Sequence, residues 1–396
     1  MLRSLITLAY CFLVISAAPV NELLKGISNF SSDLYRQSAN STSDNVIISP
    51  YSVINVLALL AQAAECNTLD ELKTELHLYG DKASVAEQFH ILYKLLQKSA
   101  GNSTFLVANQ IYVQQDRSIN KRFQEVAVQK FSSGIETVNF ANGLKAAEII
   151  NRFVGKKTNG KINGLVTPDA FSPITQAILV NAIYFRSDWK YKFEEAYTIE
   201  EDFYTSKTER VAVDFMNIKE QFYYGDVPDL DATALEMKYA NSNFTFIAIL
   251  PNNRTGLSAL ESKMTEYNLA TVTSQMSLQE VDVKLPKFKI EFEIKLMDVL
   301  KNLGITEIFT PQAELNLLET GESLQVADVI HKAFIEVNER GSEAAAATAA
   351  LLTFNSLNGG EPQLTFHANH GFVFYIWNES TKTTVFSGRI TKFDRN

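Results

Sequence analysis

The chain has 396 residues, 46% of them hydrophobic, 26 phenylalanines and a formal charge of −9. That is ample apolar material for one large mixed domain with a sizeable core. The acidic balance implies no general nucleic-acid partner, and Lys94 and Lys98 are too few for a heparin-type patch.

Residues 1–17 read as a secretory signal peptide. Arg3 supplies the positive start, Leu5 to Ile15 an apolar stretch, and Ser16-Ala17-Ala18 the small residues at the cut, placed after Ala17 because Pro19 disfavours cleavage just before it. The stretch is too short for a typical membrane span, and the C-terminus carries no standard retention tetrapeptide. The expectation is a secreted, extracellular chain running from residue 18 to 396 as one domain. Cys11 falls in the leader and Cys66 stands alone in the mature chain, so no intramolecular disulfide forms. A lone thiol is expected to be buried and inert. Six sequons begin at Asn29, Asn40, Asn102, Asn243, Asn253 and Asn378. Asn102 and Asn253, in polar turns, are the better glycan candidates, whereas Asn243 opens an apolar run and is expected to be poorly accessible.

A helix-rich first part comes next. Helical periodicity covers Asn21 to Arg36, Tyr51 to Ala64, Thr68 to Leu78, Ala86 to Lys98, Lys121 to Phe131 and Gly143 to Lys156. Phe105 to Val113 is strand-like. Ile178 to Phe185 and Phe244 to Leu250 are near-continuous apolar runs, the pattern of strands buried on both faces. Val283 to Ile294 alternates, Phe288, Ile290, Phe292 and Ile294 on one face, as a single half-buried antiparallel strand does. Ile294 to Leu303 is expected to be a short helix ended by Gly304. No fixed-period repeat or Pro/Gly/Ser linker divides the chain.

Enzyme readings fail for want of residues: there is no Gly-x-Ser-x-Gly elbow, P-loop or His-Glu-x-x-His. The five histidines offer no metal cluster beyond His367 and His370, which read as a surface feature. No metal, cofactor or membrane partner is expected.

The informative stretch follows a strand-like segment, Val329 to Val337: Glu339-Arg340-Gly341-Ser342-Glu343-Ala344-Ala345-Ala346-Ala347-Thr348. An isolated helix this short is marginal, and no apolar residue at helical spacing follows until Leu351. Small side chains, a permissive glycine and no proline before Pro362 suit a segment exposed in one state and a strand in another. This run resembles the proximal hinge of the serpins, the serine protease inhibitor superfamily. Similar landmarks occur in order along the mature chain: Asn45 to Ser52, Ile150-Asn151 with Thr158 to Ile162, Leu179 to Phe185 followed by Trp189, Ile249-Leu250-Pro251, Leu285 to Phe288, Leu303 to Ile305, His331 to Phe334 and Phe386 to Ile390. Arg186-Ser187 depart from the usual Lys-Gly, and Gly371 from the usual Pro.

The resemblance implies an α+β fold, with helices packed on three mostly antiparallel β-sheets and an exposed reactive centre loop at about 341–362. It implies a monomeric suicide substrate that forms an acyl-enzyme with an endopeptidase and then inserts the hinge into its main sheet. Ser342, Ala344, Ala346 and Thr348 share the parity that must be buried, and all are small. By strand alternation His331 points inward, and a buried histidine needs hydrogen-bond partners. The resemblance supplies them from Asn181 and the hydroxyls of Ser49 and Ser52, the shutter through which the loop enters, with Trp189 at the breach above it. Family spacing places the bait bond between Asn355 and Ser356, with Phe354 as the alternative. Neither Arg nor Lys occurs from Ser342 to His370. A chymotrypsin-, elastase- or subtilisin-like target is therefore expected over a trypsin-like one. Phe354 one position before the cut also suits papain-like cysteine proteases, and cleavage after Asn355 an asparagine-specific one. A non-inhibitory carrier, storage protein or chaperone is the competing reading.

Overall fold

The computed structural model of the protein describes residues 2–264, 268–322, 324–342 and 364–393, with side chains from residue 21 onward. Its helices are α1 (Leu2–Asn40), α2 (Pro50–Ala63), α3 (Cys66–Glu75), α4 (Lys82–Ala100), α5 (Lys121–Phe131), α6 (Gly143–Lys157), α7 (Leu257–Met264), α8 (Leu269–Ser274) and α9 (Met297–Asn302). Its strands are β1 (Val46–Ile48), β2 (Thr104–Gln114), β3 (Gly134–Val138), β4 (Ala177–Asp188), β5 (Ile199–Tyr204), β6 (Arg210–Val227), β7 (Ala232–Lys238), β8 (Phe244–Pro251), β9 (Ser277–Pro286), β10 (Phe288–Lys295), β11 (Val326–Asn338), β12 (Gly341–Ser342), β13 (Leu364–His367), β14 (Phe372–Asn378) and β15 (Thr383–Ile390).

The strands form two hydrogen-bonded sheets among the described residues. One has nine strands, β1-β15-β14-β8-β7-β6-β9-β13 with β5 on β6, and the other six, β10-β11-β12-β4-β2-β3. Three sheets were expected. Two of them are joined because β6, 18 residues long, pairs with β5 through Arg210–Phe215, with β9 through Phe215–Tyr224 and with β7 through Tyr223–Val227.

The apolar run in β4 follows from its place in the layers. Leu179, Ile183 and Phe185 face the main core between the sheets, while Ile178, Val180, Ala182 and Tyr184 face a smaller core roofed by α6. A strand covered on both faces carries no polar alternation. α2 is buried nearly all round, from Pro50 to Ala61 and at Ala63, so it shows no polar stripe. It starts with Ser49, whose hydroxyl accepts from the Ser52 N–H at 3.3 Å, and with proline in the first turn, the usual start signals of a helix.

The alternating run Val283 to Ile294 is not one strand. It divides between β9 in the nine-stranded sheet and β10 in the six-stranded one. Pro286 closes β9, since proline offers no N–H to carry a ladder on. Each half alternates because each is half-buried, but the buried parity changes at Pro286, from Val283 and Leu285 to Phe288 and Ile290. The next helix starts at Met297, later than expected, because Ile294 and Lys295 still pair with β11.

Phe185 is fully buried, with its ring centroid 5.2 Å from Tyr239, 5.3 Å from Phe244 and 6.4 Å from Phe386. It therefore locks the six-stranded sheet onto the nine-stranded one. Truncating a phenylalanine in such a site costs about 3–5 kcal/mol. Phe185→Ala is expected to lower the urea unfolding midpoint sharply, and an unchanged midpoint would contradict this account of the sheet-to-sheet packing.

Candidate functional site

The site centres on β11 and β4. They pair in parallel from Val326–Ala177 up to Phe334–Tyr184. Above that point the chain turns at Glu339–Arg340 and returns as β12. Gly341 and Ser342 sit opposite Asn338 and Val337 on one side and Asp188 and Ser187 on the other. β12 is thus a two-residue wedge in the top of the six-stranded sheet.

Gly341 is required by proximity. A Cβ there would lie 2.0 Å from the Ser187 carbonyl oxygen and 2.6 Å from Asp188 Cα, both backbone atoms that cannot give way. Ser342 is fully buried, its hydroxyl 2.6 Å from that of Tyr239. Burial raises the Tyr239 pKa, so its phenol stays neutral.

Three successive carbonyls at the root of the wedge are held by one segment. The Trp189 indole N–H donates to Asn338 O at 2.9 Å, the Phe193 N–H to Glu339 O at 2.9 Å and the Trp189 N–H to Arg340 O at 2.8 Å. Trp189 is buried and stacks on Tyr239, with centroids 4.7 Å apart and planes 6° from parallel. Glu339 is anchored through its side chain: Thr198 Oγ1 donates at 2.7 Å and Lys287 Nζ lies at 3.0 Å. Burial works against its ionisation, but the hydrogen bonds from Thr198, its own backbone and Lys287 outweigh burial and hold the carboxyl below the usual range.

Lower down, His331 lies opposite Asn181. Both are fully buried. The Ser49 backbone N–H donates to His331 Nε2 at 3.1 Å, so the proton is on Nδ1, which donates to Asn181 Oδ1. Ser52 Oγ also donates to that oxygen, at 2.8 Å. The serine hydroxyls expected to reach His331 do not. Ser49 gives its backbone N–H, and Ser52 acts through Asn181. The network continues through Asn181 Nδ2 to Asn109, whose own amide donates to Asn55 Oδ1 at 2.9 Å.

Several sequence expectations meet the structure here. Hinge residues Glu343 to Thr348 and bait residues Phe354, Asn355 and Ser356 lie outside the described residues. Tyr239, Thr198, Lys287, Phe193, Asn109 and Asn55 were missed as partners. Lys287 alone had a signal, inside the run Leu285 to Phe288. Cys66 is exposed rather than buried. Its thiol is kept protonated by its hydrogen bond to Glu314 and the charges of Glu314, Glu65 and Asp70. His370 is buried, with Nε2 2.8 Å from Pro251 O, not a surface feature. Asn243 is exposed, against expectation, as are Asn29, Asn40, Asn102 and Asn253. Asn378 is fully buried, its Oδ1 accepting from the Thr381 N–H and hydroxyl at 2.9 Å each and from Ser380 Oγ at 2.8 Å. The folded chain has no room for a glycan on it. No helix of the described residues is long and apolar enough to cross a membrane.

Burial depresses the His331 pKa to about 3. A histidine kept neutral in the fold but free to protonate when unfolded stabilises above its unfolded pKa of about 6.5 and loses that contribution as pH falls towards the folded value. Between about pH 6.5 and 5, wild type is therefore expected to lose stability relative to His331→Gln, read as the difference in thermal midpoint at each pH. A constant difference across that window would refute the assignment.

The family model described as serpin (serine protease inhibitor) matches residues 25–393. Antichymotrypsin-2 of Bombyx mori is 36% identical over 370 residues, covering 93% of this chain and 97% of that protein. Among solved structures, Serpin48 of the insect Tenebrio molitor superposes with a TM-score of 0.86 at 31% identity, covering 94% of this chain and 99% of that one. Human thyroxine-binding globulin, complexed with thyroxine, superposes at 0.87 with 25% identity, covering 94% and 99%. A main sheet wedged by its own hinge strand, on a chain matched nearly end to end, makes this protein a member of the serpin family of serine protease inhibitors.

Proposed function

We propose that the protein is a secreted inhibitor that traps an endopeptidase as an acyl-enzyme and inserts its cleaved hinge between β11 and β4. The observation that carries this reading is the wedge of Gly341 and Ser342, already paired on both sides. Extended along the same register, Ala346 would meet Ile183 and Ala333, and Thr348 would meet Asn181 and His331. Insertion would part that buried pair, and Thr348 would bring a hydroxyl to the place where their shared hydrogen bond had been. A large or charged side chain on this face would be driven into the main core. Ala344, Ala346 and Thr348 carry none.

Loop composition supports a target with an apolar pocket, chymotrypsin-, elastase- or subtilisin-like, with papain-like cysteine proteases as a cross-class alternative. A small-molecule carrier is the second reading, because thyroxine-binding globulin shares the fold. Against it, the pocket between Tyr35 on α1 and Glu261 on α7 measures about 30 Å³, room for a water and not for a hormone, and wider clefts of about 350 to 660 Å³ are lined largely by charged and polar side chains.

Incubation with chymotrypsin, elastase, subtilisin, trypsin, a cathepsin-L-type protease and legumain tests this. The expected result is an SDS-stable complex and a released C-terminal peptide starting at Ser356 or Asn355. Cleavage without complex, and without a gain in heat resistance, would favour the carrier reading. Ser342→Arg and Ala346→Glu are expected to turn inhibitor into substrate, and undiminished complex formation by both would contradict the insertion step. Mass spectrometry of the secreted protein is expected to find an N-terminus at Ala18 and glycans confined to Asn29, Asn40, Asn102, Asn243 and Asn253. A glycan on Asn378 would contradict the burial argument.

A further inference from the structure

The pivot of the wedge, Tyr239, belongs to a short bridge between the two sheets. The Lys190 N–H donates to Lys238 O at 2.9 Å and the Ala240 N–H to Asp188 O at 2.8 Å, with Trp189 and Tyr239 paired between them. The residues that hold this bridge from the outer side include two carboxyl groups and too little positive charge. Glu236, on β7, is 6% exposed, and its Oε1 has no hydrogen-bond partner. Its carboxyl lies within hydrogen-bond reach of Glu379, in the turn between β14 and β15. Lys238 Nζ lies 2.8 Å from Glu379 Oε1 but 3.8 Å from Glu236 Oε1. The remaining neighbours of Glu236 are the Tyr223 ring on β6, which Lys238 covers at 5.0 Å, the apolar Ile247 on β8, and Lys382.

Two carboxylates in contact cannot both ionise cheaply when one is buried. A single lysine, committed to Glu379, does not neutralise both. We propose that Glu236 keeps a proton in the fold, directed at Glu379, and that this proton positions Tyr239 and Trp189, the pivot that fastens the hinge. With the proton in place the carboxyl pair ties β7 to the turn after β14 and keeps the bridge at 238–240 closed on 188–190. When it leaves, the two anions repel, the end of β7 is loosened, and Tyr239 shifts against Trp189. Burial, reinforced by the hydrogen bond to Glu379 and its charge, raises Glu236 to about 7, so the change falls in the ordinary pH range. The sign follows from linkage. A carboxyl whose folded pKa lies above its unfolded one stabilises fully below the unfolded value and loses that contribution as pH rises through the folded value. Glu236 and Glu379 are positioning residues, acting through Tyr239, and their role in inhibition rests on the insertion reading above.

The test uses the free, full-length protein and no protease, so it stays readable if inhibition fails. The chain has two tryptophans. In a Trp377→Phe background the emission of Trp189 is followed from pH 5 to 8.5. A transition centred near pH 7 is expected, absent in Glu236→Gln and displaced in Glu379→Gln, with the second variant standing in if the first does not fold. Glu236→Gln is further expected to raise the thermal midpoint at pH 8.5 by about 2–4 °C and to leave it nearly unchanged at pH 5. Flat Trp189 emission in the parent protein, an identical transition in Glu236→Gln, or an equal thermal offset at both pH values would overturn the proposal.

Discussion

Everything in this molecule is arranged around the parallel pairing of β11 with β4. Parallel neighbours in a sheet are joined by long connections, so no hairpin fixes the two strands together. What lies in the gap above them is not a loop from elsewhere but β12, the direct continuation of β11. On the insertion proposed above, the ladder would be entered from its upper end, by a strand that starts with the right register. The Asn338–Gly341 and Val337–Ser342 pairs set that register before any further residue arrives.

Resistance to that entry is local and of two kinds. At the top, three carbonyls and one carboxylate of the hinge root are held by Trp189, Phe193, Thr198 and Lys287, so the chain leaves β11 in one direction only. Further down, the His331–Asn181 bond spans the two strands themselves. A buried polar pair of this kind adds only about 0.5–1.5 kcal/mol net when satisfied, yet leaving its members unpaired costs more. On the insertion reading it would be a catch rather than a source of stability. Opening is tolerable only if a new partner arrives as the old one leaves, which is a demand on the side chain that comes to rest there.

The catch and the hinge were legible in the sequence to different depths. β4 announced itself as an apolar run broken only by Asn181, and His331 as inward-facing, because strand parity is a local property. Its partners were only half legible. A backbone N–H donor such as that of Ser49 has no signature in residue type, and Asn109 becomes relevant only once β2 is known to pair with β4 at Asn181. Tyr239 was invisible for the same reason: its contact with Ser342 joins two sheets across 103 positions of chain. Local reading failed where tertiary context reverses it. Asn243 opens an apolar strand yet points outward, Asn378 ends one and is swallowed by the turn it caps, and Pro286 divides between two sheets a run that reads as one strand.

The family's fold does not by itself decide between an inhibitor and a carrier, since thyroxine-binding globulin superposes on this chain as closely as an insect serpin does. What separates the readings is what the sheet would have to accommodate. A carrier needs a lined cavity large enough for its ligand, and its hinge is free of size limits. An inserting inhibitor needs no cavity, but every second hinge residue must fit between strands already packed to the density of an organic crystal. The wedge opens with a glycine that no other residue could replace against the Ser187 carbonyl. It continues with a serine whose hydroxyl is already matched by Tyr239, and the next three residues of the same sequence parity are alanine, alanine and threonine. A surface loop gains nothing from that restriction on size. A strand waiting to be buried does.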